Sequence, residues 1–185
     1  MARKYETNSK TMGTGAGMLA YFTSLQADEI LPIVTPIMAN YGMTSMNDVD
    51  PEGWYPMQMS LDMFKAIEAQ PNAMTNMVSL GMKMTEHMPV PEQVDGMIEA
   101  MHVLNAMYDA GIQNFSESEK YDITQISERH VQLVDNNPYP HDLIYGFIYG
   151  IARRFMPEDA SLTVKRTYDN PEEPNAGGAV YDVTW

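Results

Sequence analysis

The stretch NNPYPHDLIYGFIYGIARRF, residues 136–155, decides the fold. Its Pro-Tyr-Pro-His turn sets a chain direction, and behind the turn Leu143, Phe147, Ile151 and Phe155 recur at helical spacing as one apolar stripe. A helix is therefore expected over about 140–155, with this stripe facing a sheet. Gly146 and Gly150 stand four apart, so they share a face and clear side chains along one line where another backbone can come close. Tyr145 and Tyr149 flank that line. Either the glycines serve tight packing of the helix on the sheet, or their groove borders a pocket or a dimer contact. His141 beside Asp142 at the helix start reads as capping chemistry rather than catalysis. With Asp142 and the closing pair Arg153-Arg154, the segment is too charged and too short to span a membrane.

Outward from this helix, strands appear on both sides. YDITQISERHVQLV (121–134) alternates polar and apolar residues with an interruption that suggests a bulge or hairpin, while ASLTVKRTY (160–168) and GAVYDVTW (178–185) are rich in β-branched and aromatic residues. The three segments are expected to pair in one antiparallel sheet. Before residue 111 the period is helical. Helices are expected over 16–26, over 28–41 with Asp28 as N-cap, Gly42 as stop and Pro36 kinking or ending it, over 57–69, over 72–84, and from Pro91 to about Ala110. MGTGAGM (12–18) reads as a flexible loop, NDVDPEGWYP (47–56) as turns and HMPVPEQ (87–93) as a linker. The class is α+β: one domain over 1–185, a helical layer (about 15–111) packed on a small C-terminal antiparallel sheet (about 120–185), with one long helix between strands.

Composition narrows the function. The chain has 25 acidic and 11 basic residues in 185, a formal charge of −14, so a nucleic-acid backbone would be repelled. It has no cysteine, which removes disulfides, thiolate metal sites and thiol nucleophiles. No segment is apolar for long enough to cross a membrane, and a cytoplasmic protein is expected. No nucleophile elbow, phosphate loop or dinucleotide fingerprint is present, so no catalytic residue is named and a non-enzyme is expected.

The run PYPHDLIYGFIYGIARRF, followed by SLTVKRTY and GGAVYDVTW, resembles the C-terminal half of the 4-vinyl-reductase-type ligand-binding sensor domains, relatives in fold of the haem nitric-oxide/oxygen-binding (H-NOX-like) domains. GWYPMQMSLDMFKAI and MVSLGMKM are similar in tone to the helical half. The resemblance implies a helical layer over an antiparallel sheet enclosing an apolar pocket, often in a dimer that signals to another protein. There are departures. Where the family often carries metal-binding cysteines, this chain holds His141, the Glu173-Pro174 region and Ala179. Haem-binding relatives use a helical histidine followed some thirty residues later by Tyr-x-Ser-x-Arg; here His102 is suitably placed, but the later window is Leu133-Val134-Asp135-Asn136-Asn137, without tyrosine, serine or arginine. Two haem carboxylates would lack their arginine fork.

His102 falls at the border of the buried stripe formed by Met97, Met101 and Tyr108, where it is either a half-exposed polar residue or a ligand contact. His87, His130 and His141 form no helical metal pair, and no metal ligand is named. Eleven of the 18 methionines lie between Met57 and Met107; methionine is flexible and polarizable, so the run suits an adaptable apolar cavity or a loosely specified core. The expected ligand-binding residues are Trp54, Tyr55, Met59, Met101, His102, Tyr108 and Tyr145, with Gly146 and Gly150 at an interface or close packing. The expected function is a sensory or carrier domain for a small hydrophobic molecule, without cofactor, acting through a homodimer or larger complex. A haem-based gas sensor and an accessory subunit with a filled pocket are the alternatives.

Overall fold

The computed structural model describes residues 4–23, 27–71, 73–86, 88, 90–92 and 94–185. Strand β1 (Met12–Thr14) leads into helices α1 (Gly15–Thr23) and α2 (Ala27–Ala39); β2 (Trp54–Pro56) precedes α3 (Met57–Glu68), α4 (Ala73–Glu86) and α5 (Met97–Gly111). Then come β3 (Ile112–Gln113), the hairpin β4 (Asp122–Ser127) and β5 (His130–Asp135), helix α6 (His141–Phe155), β6 (Thr163–Tyr168) and β7 (Ala179–Thr184). The strands form an antiparallel four-stranded sheet in the order β4-β5-β7-β6 and a small sheet in the order β2-β1-β3. This is the expected α+β class.

The four-stranded sheet follows from alternation. Val131, Leu133 and Asp135 of β5, with Ala179, Tyr181 and Val183 of β7, are all buried, and the strand residues between them are only partly so. That gives the sheet one inner face, and α6 lies between this face and the helices. The interruption expected in 121–134 is a hairpin, with a register shift between Gln125 and Ser127.

The glycine line of α6 is closed by a helix, not by the sheet. A Cβ on Gly146 would overlap the Val78 carbonyl oxygen of α4, one on Gly150 would overlap the Thr85 hydroxyl, and one on Gly81 would overlap the Leu143 carbonyl. Helix-on-sheet packing for these glycines is thus corrected to α6-on-α4 packing, and Gly81 in SLGMKM is the partner that permits it. The apolar stripe also turns further round than expected. Phe147 meets Tyr21 of α1 edge-on at 6.2 Å, whereas Tyr145 donates to the Val164 carbonyl of β6 and so lies on the sheet side.

Other boundaries differ for local reasons. MGTGAGM is no loose loop: Gly13 pairs with Tyr55 of β2 and with Ile112 of β3, and a Cβ on Gly15 would collide with the Asp50 carbonyl. Pro91 opens a turn, with the Val94 N–H on its carbonyl; the helix starts six residues later behind an extended Gly96. Helix α2 runs through Pro32 and Pro36 to Ala39. It stops two residues short of the expected 41, and the turn that follows passes through Gly42, whose φ of +79° only glycine adopts freely. It begins at Ala27, so Asp28 lies inside the helix rather than at its cap. The expected ends at 24–26 and Asn72, and the linker residues His87, Pro89 and Gln93, lie outside the described residues.

Candidate ligand-binding cavity

Among the helices and beside the small sheet, rather than against the four-stranded sheet, lies a cavity of about 130 Å³. Its floor comes from α6 (Ile144, Phe147), its sides from α1 (Gly17, Met18, Tyr21), α3 (Met57, Ser60) and α5 (Leu104, Met107, Tyr108, Gly111), and the small sheet (Gly13, Thr14, Ile112) closes one end. Met84, Tyr121 and Tyr139 complete the wall. The half-exposed Thr14, Gly17, Met107 and Gly111 mark the side nearest solvent.

Four tyrosines converge on this space. Tyr139, held between Pro138 and Pro140, is central: its ring lies 6.0 Å from Tyr21 and 6.4 Å from Tyr108. Its hydroxyl and that of Tyr21 influence each other's ionisation, while Tyr108 donates to Glu119 at 2.8 Å. Burial disfavours phenolate at each. It pushes Tyr21 up to about 12 and raises Tyr108, Tyr121 and Tyr139 further.

Of the residues expected to bind ligand, the structure places Tyr108 in the wall. Trp54 is 37% exposed on β2, and Tyr55 uses its hydroxyl to accept the Asp50 N–H. Met59 and Met101 are fully buried in the core, where neither borders the cavity. Tyr145 stacks on Tyr149 at 6.2 Å on the sheet side. His102 is exposed on the outer side of α5, opposite Met101 and Leu104, so a cavity role is corrected: a 100° step per residue turns it away. Tyr21, Tyr121 and Tyr139 were not singled out by sequence. A usable signal existed for Tyr139, since the two flanking prolines fix its backbone.

Beside the cavity, a buried polar knot fills the window that lacks the arginine motif. The Lys4 ammonium reaches Asp135 at 2.8 Å and the Asn137 carbonyl at 2.7 Å. Asp135 and Asn137 in turn accept the N–H groups of Asn137 and Tyr139. Burial lowers Lys4 and raises Asp135 from their ordinary values, and each partner's charge opposes the shift. His141 donates from Nε2 to the Pro174 carbonyl at 3.0 Å. This hydrogen bond ties the start of α6 to the Glu173-Pro174 loop. Burial pushes His141 down to about 3. Among the described residues, no group of three His, Asp or Glu side chains could hold a metal ion.

No protein-family model and no curated protein matches the chain. Solved structures do. A mutant H-NOX of T. tengcongensis superposes with a TM-score of 0.65 at 10% identity, covering 92% of this chain and 96% of that one. A structure probing heme distortion in the H-NOX family gives 0.63 at 10% identity over 93% and 95%, and an H-NOX protein from S. oneidensis in the Fe(II)NO state gives 0.59 at 11% over 92% and 97%. The chain has the H-NOX fold. Identity this low carries the fold and nothing finer; the 4-vinyl-reductase side of the resemblance finds no support in these comparisons, and the H-NOX side does.

The described residues of this H-NOX-fold chain do not supply the partners haem would need. Among the described residues the cavity wall contains no histidine, arginine or lysine, His102 faces solvent, and the buried cation nearest the arginine-motif window, Lys4, is spent on Asp135 and Asn137. Two carboxylates would enter without a counter-charge. The volume of about 130 Å³ is near the roughly 150 Å³ of an engineered cavity that holds benzene, and well below the ~300–1,000 Å³ of pockets for larger ligands.

Proposed function

We propose that this chain is a non-enzymatic sensory domain of the H-NOX fold that takes a small, mainly apolar molecule directly in the Tyr- and Met-lined cavity. It passes occupancy to a protein partner in the cytoplasm, through a homodimer or a larger complex. One observation carries the reading: an apolar space of about 130 Å³ bounded chiefly by α1, α3, α5 and α6, without a charged side chain among the described residues of its wall. Among the described residues, no helix is long and apolar enough to cross a membrane, so signalling would proceed through protein contacts. An accessory subunit with a filled pocket has the open cavity against it.

A haem-based gas sensor is the second reading. The comparisons favour it, because the similar structures include one concerned with heme distortion and one in an Fe(II)NO state; the geometry of this cavity favours the direct ligand. Absorption spectroscopy on the chain produced with ample haem supply separates them, alongside native mass spectrometry of the same sample. The direct reading expects no Soret band and retention of a small neutral molecule. A stoichiometric Soret band, surviving gel filtration, would replace it with the haem reading.

A further inference from the structure

The cavity's polar end narrows the chemistry of its occupant, given the reading above that the cavity is a ligand site. Its methionine walls come from Met18, Met57, Met84 and Met107, whose sulfurs suit contact with an aromatic ring. Its polar side is built differently. Tyr108 has committed its proton to Glu119. Tyr21 and Tyr139 both line the wall with their rings 6.0 Å apart, and even if one O–H turns to the other oxygen, two phenols keep one proton to donate and spare lone pairs to accept. Among the described residues no counter-charge lines the wall, and every tyrosine there already resists becoming an anion, so the environment rejects a negatively charged guest as well.

We infer that the cavity selects an uncharged molecule the size of a single ring that bears one hydrogen-bonding group, read by the Tyr21–Tyr139 hydroxyl pair while the methionines and Phe147 hold the ring. Tyr21 and Tyr139 come from elements 118 residues apart in the chain (139 less 21), and the Pro-Tyr-Pro turn before α6 presents the second. The two hydroxyls are therefore specificity-determining residues that neither helix could supply alone.

The test titrates the full chain, labelled at its methionine methyls, with benzene, phenol and benzoate at neutral pH and follows the methyl resonances by NMR. Phenol and benzene are expected to shift the resonances of Met18, Met57, Met84 and Met107, assigned by single Met→Leu variants. Phenol should bind about 5- to 10-fold more tightly, as one net hydrogen bond implies, and benzoate should leave the resonances in place. Tyr21→Phe and Tyr139→Phe should each bring phenol to the level of benzene without weakening benzene; if the central Tyr139→Phe fails to fold, Tyr21→Phe decides alone. Equal affinity for phenol and benzene, or a preference that survives both variants, would refute the role of the hydroxyl pair and leave the apolar cavity standing. Benzoate binding as tightly as phenol would refute the selection against charge. If neither ring binds, the ligand-cavity reading falls and this inference with it.

Discussion

Replacing Gly146 by alanine tests the contact that holds the helical layer to α6. In an open helix interior this change stabilises by about 1 kcal/mol, because alanine gives up less backbone freedom. Here the new methyl would overlap the Val78 carbonyl oxygen and stand 3.0 Å from the Gly81 Cα. Both are backbone atoms, so no side-chain rotation relieves the overlap, and α4 and α6 must part along their contact. Overpacking of this kind costs roughly 1–3 kcal/mol; backbone obstruction puts it at the upper end, leaving a net loss of about 2 kcal/mol after the propensity gain. For a chain of this size that lowers Tm by about 4–8 °C. Thermal and urea unfolding followed by circular dichroism measures it, with Gly111→Ala as the control, since a Cβ there meets nothing within 4 Å. The control should melt at or slightly above the parent. A Gly146→Ala protein as stable as the parent would show that α4 and α6 are not in backbone contact, and the packing argument would fail.

Three further outcomes follow from the buried groups and the cavity wall. Lys4→Met leaves Asp135 buried without its cation and should cost about 3–5 kcal/mol in urea unfolding, with Lys4→Met/Asp135→Leu recovering most of it; equal stability of the single variant and the parent would contradict the ion pair. His141 is held neutral in the fold, about 3 against 6.5 in the unfolded chain, so between these values the unfolded state binds more protons, and stability from this residue is lost as pH falls through that window. His141→Gln should flatten the parent's pH–stability slope from about 6.5 towards 3, and an unchanged slope would show the imidazole to be solvated. Gly111→Phe, which extends into open space at the cavity wall, should keep the fold and abolish benzene-induced methyl shifts. Undiminished shifts would place benzene elsewhere.

Much of the architecture is legible in residue order alone. Helix α6 announces itself by its stripe and its Pro-Tyr-Pro turn, β5 by an interrupted alternation and β7 by its β-branched and aromatic residues, because these signals lie within a single element. Gly42 also reads correctly, since a positive φ is a local demand. The start of α5 does not: Pro91 suits a first helical turn and a β-turn equally, and only the surrounding chain chooses. The methionine run is ambiguous for a related reason. Met59, Met63, Met77 and Met101 are sealed in the core while Met57 and Met84 border open space, and nothing in the residue type separates these fates.

The cavity and its neighbourhood belong to the tertiary structure. Strands β1 and β3 are too short to carry a period, and they exist because Gly13 finds Ile112 across ninety-nine residues (112 less 13). The Lys4–Asp135 pair is likewise a contact between distant segments, 131 residues apart, that replaces an arginine motif with an internal lock. His102 was placed on the right helix by its spacing and on the wrong side of the cavity, because a border position is settled by the neighbour that α5 packs against. The sequence by itself determined the long helices and the strands of the four-stranded sheet, since those choices depend on periodicities and residue types within each segment. Which tyrosines meet around an empty space was decided only when α1, α5 and the turn before α6 closed over one another, for a cavity is what several elements leave unfilled and no single one encodes it.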